Sequence, residues 1–339
     1  MSYNRKIIIA FVAILALGFG AGYYVRNRSI VSVTNLAPVE IRANEAQYHF
    51  INPLLYLITN KDLYTGQYTN LIADLNSYIN SAKTVNNATD ISIYFRDLNT
   101  GHWTGIGEND KYRPGSMLKV VTLMATVQQA ESGKVSLSEE IKYSPGNTLG
   151  DTSLQYYQPE FHLTSGMHTI QELTKAAVMF SDNGANDALL SNPAINKEFG
   201  EIFKLSRLPF TESIDKDFMS PRSYSAVWRT LYNATFLSTA MSDQVLQLLT
   251  GTTFRDGLVA GVPTSTVVSH KFGEYTLKSE DGIIVNRELH DCGIIYYPEH
   301  PYFLCVMTRG KDFPSLAKTI AGASNVVYSY VASSTVTRN

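Results

Sequence analysis

Ser116 and Lys119 stand three residues apart, a spacing that on a helix lays one side chain over the other. A serine hydroxyl is a poor nucleophile until a base takes its proton, and a lysine can be that base when burial and a nearby cation lower its pKa. Two later stretches carry complementary groups. Ser181-Asp182-Asn183 offers a second hydroxyl and an amide, and His270-Lys271-Phe272-Gly273 a second lysine. Together in one cleft they would be equipment for acyl transfer. Spacing alone does not select Ser116, because Ser213/Lys216 and Ser315/Lys318 repeat it. Setting does. Ser116 follows Pro114-Gly115 and precedes Met117, Leu118, Val120, Val121, Leu123, Met124 and Val127, apolar nearly all round, as in a buried helix. A serine opening a helix is ordinarily a cap. An ammonium on a core helix is expensive unless something requires it. Ser213 falls in a charged loop and Ser315 on a mixed surface helix.

These groups need elements to hold them. Residues 66–85 place Leu71, Leu75, Tyr78 and Ile79 at helical spacing. Ile91, Ile93 and Phe95 alternate as a strand, Asn99-Thr100-Gly101 turns it, and Trp103 begins the return. Residues 112–255 read as helical and loop-rich. Thr169-Ile170-Gln171-Glu172 is a capping-box pattern, and Ser220-Pro221 gives an N-cap with a first-turn proline. Strand signals return at Val267-Val268 running into Lys271, at 283–285, and in a hairpin of 292–297 with 302–308. A last helix carries Leu316, Ile320, Val327 and Tyr330 on one face. The order is α+β: an antiparallel sheet made from both chain ends, flanked by N- and C-terminal helices, with a helical lobe inserted.

The three motifs, in order and each on its element, resemble the S-x-x-K, S-D-N and K-T-G set of class A serine β-lactamases and penicillin-binding proteins. The resemblance covers about residues 45–335, and flanking text such as 135–140, Gly184-Ala185 and Leu189-Leu190 reads like family sequence. It implies a five-stranded sheet and an acyl-enzyme at Ser116, with Lys119 as base and Ser181 passing a proton to the leaving nitrogen. Asn183 and Lys271 would anchor substrate. Past Gly273, the backbone N–H of Glu274 would join that of Ser116 in holding the oxyanion, each such donor worth about 10²–10³ in rate. Two departures stand out. Phe272 replaces a Thr or Ser that helps bind a substrate carboxylate. The family's E-x-x-L-N glutamate, which activates the deacylating water, has no match. Among Glu198, Glu201, Glu212, Asp215 and Asp217, Glu212 after Arg207 is the least poor stand-in. Tyr156 and Tyr157 either wall the cleft or simply pack.

The implied function is an exported serine hydrolase opening β-lactam amides. Its rivals are a D-Ala-D-Ala peptidase acting on peptidoglycan peptide, and a catalytically idle β-lactam or muropeptide receptor. No cofactor is implied. Seven histidines without ligand spacing argue against a metal, and a net charge of −2 without basic clusters argues against nucleic acid. Arg5-Lys6, an apolar run over 7–25, then Arg26 and Arg28 read as a transmembrane anchor within residues 1–28 or as a cleaved signal peptide. Either would place the remainder outside a bacterial membrane, periplasmic or extracellular. Residues 29–45 read as a linker to a hydrolase domain over 46–335. If Tyr297 faces Tyr302 in the hairpin, Cys292 faces Met307, so Cys292 and Cys305 are expected to be reduced and buried.

Overall fold

The computed structural model describes residues 39–44, 46–58, 68–145, 155–158, 161–206, 208 and 216–336. The apolar run of 7–25 lies outside them, and no helix among the described residues is long and apolar enough to cross a membrane. Arg207, Glu212, Ser213 and Asp215 also lie outside.

An antiparallel five-stranded sheet is the centre of the fold. Its strands are β3 (Ala88–Asp97), β4 (Trp103–Ile106), β7 (Val268–Lys278), β8 (Ile284–Ile295) and β9 (Tyr302–Gly310), in the order β4-β3-β9-β8-β7. Side chains alternate across these strands, which divides the core in two. Tyr94, Phe303, Cys305 and Met307 face one cluster. Ile93, Phe95, Leu304 and Val306 face the other, beneath α1 (Thr69–Val85) and α8 (Phe313–Val336).

The first cluster belongs to the helical lobe: α2 (Lys119–Glu131), α3 (Ile170–Met179), α4 (Asn183–Ser191), α5 (Pro193–Leu205), α6 (Pro221–Tyr232) and α7 (Thr239–Leu249). Both expected caps form. Thr169 Oγ1 accepts from Glu172 N at 3.2 Å while Thr169 N donates back to the Glu172 carboxylate at 2.9 Å. Ser220 caps α6 with Pro221 in its first turn. Two small ladders went unread: β1 (Val39–Arg42), at the end of the stretch read as a linker, with β2 (Leu54–Ile58), and β5 (Glu140–Tyr143) with β6 (Gly166–Thr169).

The cysteine hairpin corrects its expectation. Ile295, not Tyr297, pairs with Tyr302, so residues 296–301 make the connection and Cys292 stands opposite Cys305. The two are joined in a disulfide. A register shift of two leaves every side chain on its own face, so alternation cannot tell the two pairings apart. Residues 283–285, expected as a separate strand, instead lead into the twelve-residue β8.

Candidate active site

Ser116 sits in a 3-10 turn, Gly115–Leu118, with α2 beginning at Lys119 rather than at the serine. The turn lies hard against β7. A Cβ on Gly115, whose φ is +52°, would meet Glu274 O at 2.6 Å, and one on Gly273 would clash with Pro114 O and Met117 N. Glycine is required on both sides of this contact. It brings the backbone N of Glu274 beside the turn, since that atom lies 3.2 Å from where the Gly115 Cβ would stand. Tyr224, fully buried on α6, donates its hydroxyl to Met117 O at 2.8 Å and fixes the turn from the lobe side. Ser116 itself is half-buried and so reachable.

Lys119 is 4% exposed. Its Nζ lies 3.0 Å from Ser116 Oγ, 2.6 Å from Ser181 O, 2.6 Å from Asn183 Oδ1 and 3.3 Å from Ser181 Oγ. Burial lowers its pKa to about 7, against the opposing pull of Asp182, Asp187 and Glu274. Lys271, fully buried on β7, reaches in from the sheet, with Nζ 3.0 Å from Ser181 Oγ and 3.1 Å from Phe272 O. Burial first, and the Lys119 ammonium second, push its pKa well down. Two lysines thus bracket one hydroxyl, and the pair carries a single charge more cheaply than two.

The Ser181–Asn183 corner joins α3 to α4. Ser181 takes φ +58°, a strained region for a non-glycine residue. This bend turns its carbonyl toward Lys119. Asp182 holds the corner: it caps α4 through Ala185 N at 2.9 Å and accepts the Tyr143 hydroxyl at 3.0 Å. Asn183, first residue of α4, spends its Oδ1 on Lys119 and leaves its amide N–H groups for another partner.

The remaining wall is aromatic. Phe272, 3% exposed, stacks on Phe254 at 4.4 Å and meets Tyr157 edge-on at 5.9 Å. Tyr157 packs here, while its N–H and that of Tyr156 donate to the Glu274 carboxylate at 3.2 and 2.7 Å. Glu274 therefore fastens the segment 155–158 across the end of β7, a side-chain role that the sequence did not suggest. Burial raises its pKa.

Several named residues do not join the site. Ser315 and Lys318 lie on α8, where Lys318 is exposed. Glu198 accepts Gln129 Nε2 at 2.8 Å, Glu201 pairs with Lys204 at 2.8 Å, and Asp217 pairs with Arg309 at 2.8 Å and Arg113 at 3.3 Å. One carboxylate was overlooked. Asp187, four residues after Asn183 on α4, is half-buried with an Oδ2 that has no partner. Its spacing from Asn183 was the available signal.

Comparison with known proteins places this geometry. Over 181 residues, the chain is 29% identical to the β-lactamase CTX-M-8 of Citrobacter amalonaticus, covering 49% of this chain and 60% of that protein. It is 27% identical over 199 residues to the carbapenem-hydrolyzing β-lactamase KPC of Klebsiella oxytoca, covering 54% and 66%. The chain thus spans about 60% of the length of the first of these relatives. Among solved structures, a penicillin G acyl-enzyme of a PBP-A mutant superposes with a TM-score of 0.61 at 20% identity, covering 78% of this chain and 97% of that one. A β-lactamase from Chitinophaga pinensis gives 0.64 at 17%, covering 77% and 99%. At such identities the superpositions speak for the fold. The profile of the β-lactamase enzyme family matches residues 71–331, most of the chain, and the protein belongs to that family.

Proposed function

We propose that this chain is an exported, membrane-tethered serine hydrolase that opens β-lactam or related amides through an acyl-enzyme at Ser116. One observation carries the reading. Lys119 Nζ stands 3.0 Å from Ser116 Oγ inside a burial that lowers its pKa to about 7, so the neutral amine is available to accept the hydroxyl proton. Ser116 Oγ then attacks the carbonyl carbon, and the N–H groups of Ser116 and Glu274 hold the oxyanion. As the C–N bond breaks, Ser181 Oγ, between two lysines at 3.3 and 3.0 Å, passes a proton to the leaving nitrogen. The free N–H groups of Asn183 and the Nζ of Lys271 are placed to orient substrate. The relatives named as β-lactamases, and the PBP-A acyl-enzyme with penicillin G, support a β-lactam as the substrate class. The apolar run of 7–25 between basic residues supports the tether, with secretion after cleavage as its alternative.

A second reading has its own support. Glu198, Glu201 and Asp217 are all engaged elsewhere, and a buried phenylalanine stands at position 272. Slow release would make the protein a penicillin-binding D-Ala-D-Ala peptidase acting on peptidoglycan peptide.

The test is to incubate the full-length chain with a fluorescent penicillin and a chromogenic cephalosporin, beside Ser116→Ala. Turnover lost in the variant supports the lactamase, and stable Ser116-dependent labelling supports the peptidase. An unlabelled, inactive wild type would remove both and leave a receptor.

A further inference from the structure

An acyl group on Ser116 is released only when a water beside it loses a proton. The base for that step must lie in the cleft and hold a free lone pair. Asp182 has neither oxygen to spare, with Ala185 N on Oδ1 and the Tyr143 hydroxyl on Oδ2. The Glu274 carboxylate is occupied by two backbone N–H groups of the segment 155–158. Asp187 differs. It lies on α4 one turn after Asn183, on the same helical face, and that face meets the nucleophile's base, since Asn183 Oδ1 is 2.6 Å from Lys119 Nζ. Its Oδ2 is buried and accepts no hydrogen bond. The one side-chain hydrogen bond to this carboxylate comes from its chain neighbour Asn186, which leaves Oδ2 without a partner. Its charge and that of Lys119 act on each other, while burial raises the Asp187 pKa.

We propose that Asp187 is the general base of deacylation, its Oδ2 holding the hydrolytic water against the Ser116 ester. This rests on the acyl-enzyme reading above. Asp187 Oδ2 takes one proton of the water as the water oxygen bonds to the acyl carbon. The tetrahedral intermediate collapses, the bond from carbon to Ser116 Oγ breaks, and Oγ receives the proton from Asp187 by way of Lys119. The product leaves as a carboxylic acid carrying the water's oxygen and its second proton, and ionises in solvent. The active site thereby returns to its starting state. Asn183 and Asp187, on one helix, divide the work: one binds the base of acylation and the other supplies the base of release.

The experiment preloads the full-length wild type, Asp187→Asn and Asp187→Glu with a fluorescent penicillin, removes excess label and follows adduct decay by intact mass. Label uptake is timed separately. A positioned base contributes about 10²–10⁴-fold, so decay in Asp187→Asn slows by that factor while uptake is unchanged. Asp187→Glu recovers part of the rate. Equal decay in wild type and Asp187→Asn overturns the proposal, as does a wild-type adduct that does not decay at all. If uptake and decay fall together in Asp187→Asn, the residue is structural and the proposal also fails. Absence of any wild-type adduct is a different failure, since it removes the acyl-enzyme itself.

Discussion

The half of the cleft proposed to make a covalent bond and the half proposed to break it are built very differently. Around Ser116 each group is fixed by a rigid element and by several partners. Lys119 has four oxygen neighbours, Ser181 Oγ lies between two lysine Nζ atoms, and Gly273 lets β7 press onto the Ser116 turn. On α4, by contrast, Asp187 is a half-buried carboxylate with one oxygen that no hydrogen bond reaches. A tightly supported set of groups works only in one geometry, which suits a step made in the transition state. A single unpartnered oxygen is tuned more easily, so on the proposed reading release rather than attack would set this chain's behaviour.

Removing the acylating base is the strongest way to break that contrast. Lys119→Met is expected to slow penicillin uptake by about 10²–10⁴-fold, measured by stopped-flow labelling, with little change in fold. Uptake near the wild-type rate would assign the base elsewhere. Second in size is the disulfide. Cys292 pairs across the sheet with Lys271 as well as with Cys305, so replacing both cysteines by alanine removes support directly behind the cleft. The expected loss is about 2–4 kcal/mol of unfolding free energy, read as a lower denaturant midpoint. A midpoint equal in oxidised and reduced protein would contradict it.

Gly273→Ala sharpens the comparison from the sheet side. The added methyl would run into Pro114 O and Met117 of the Ser116 turn, and overpacking of this kind costs about 1–3 kcal/mol. Because the strain falls on the nucleophile's turn, uptake should fall together with stability. A stable variant labelled at the normal rate would show that β7 and the turn are not in close contact. Last is Tyr143→Phe, which leaves one oxygen of the buried Asp182 carboxylate without its donor, about 1–3 kcal/mol, read as a drop in melting temperature without a direct effect on Ser116.

What could be read beforehand follows from the range of each signal. The approach of Lys119 to Ser116, the Thr169 and Ser220 caps, and the alternation through Ile91 and Phe95 are local, and the structure contains each of them. The hairpin shows the limit of such signals. A period of two cannot distinguish pairings two residues apart, so the disulfide was missed although both cysteines and both strands were found. The Glu274 carboxylate meets Tyr156 and Tyr157 across more than a hundred residues of chain, and no spacing rule reaches that far. Asp187 stands at helical spacing from Asn183, but it lies upstream of the loop in which the family carries its glutamate. Ser116 was expected to start the helix and instead stands in the turn before it, because close contact with β7 shapes that segment.

The most direct test of the whole account is the pH dependence of adduct formation at Ser116 in the full-length chain. Lys119 works as a base only when neutral, and burial brings its pKa to about 7. The uptake rate should therefore climb as pH rises toward about 7 and level off above it. An unfolded chain keeps that proton up to about 10.4, so this lysine's contribution to folded stability also grows with pH across the interval between the two values. An inflection near 7 that disappears in Lys119→Met is the predicted result. A rate that is flat through neutrality, or an inflection that survives in Lys119→Met, would contradict the claim that a neutral lysine activates this serine.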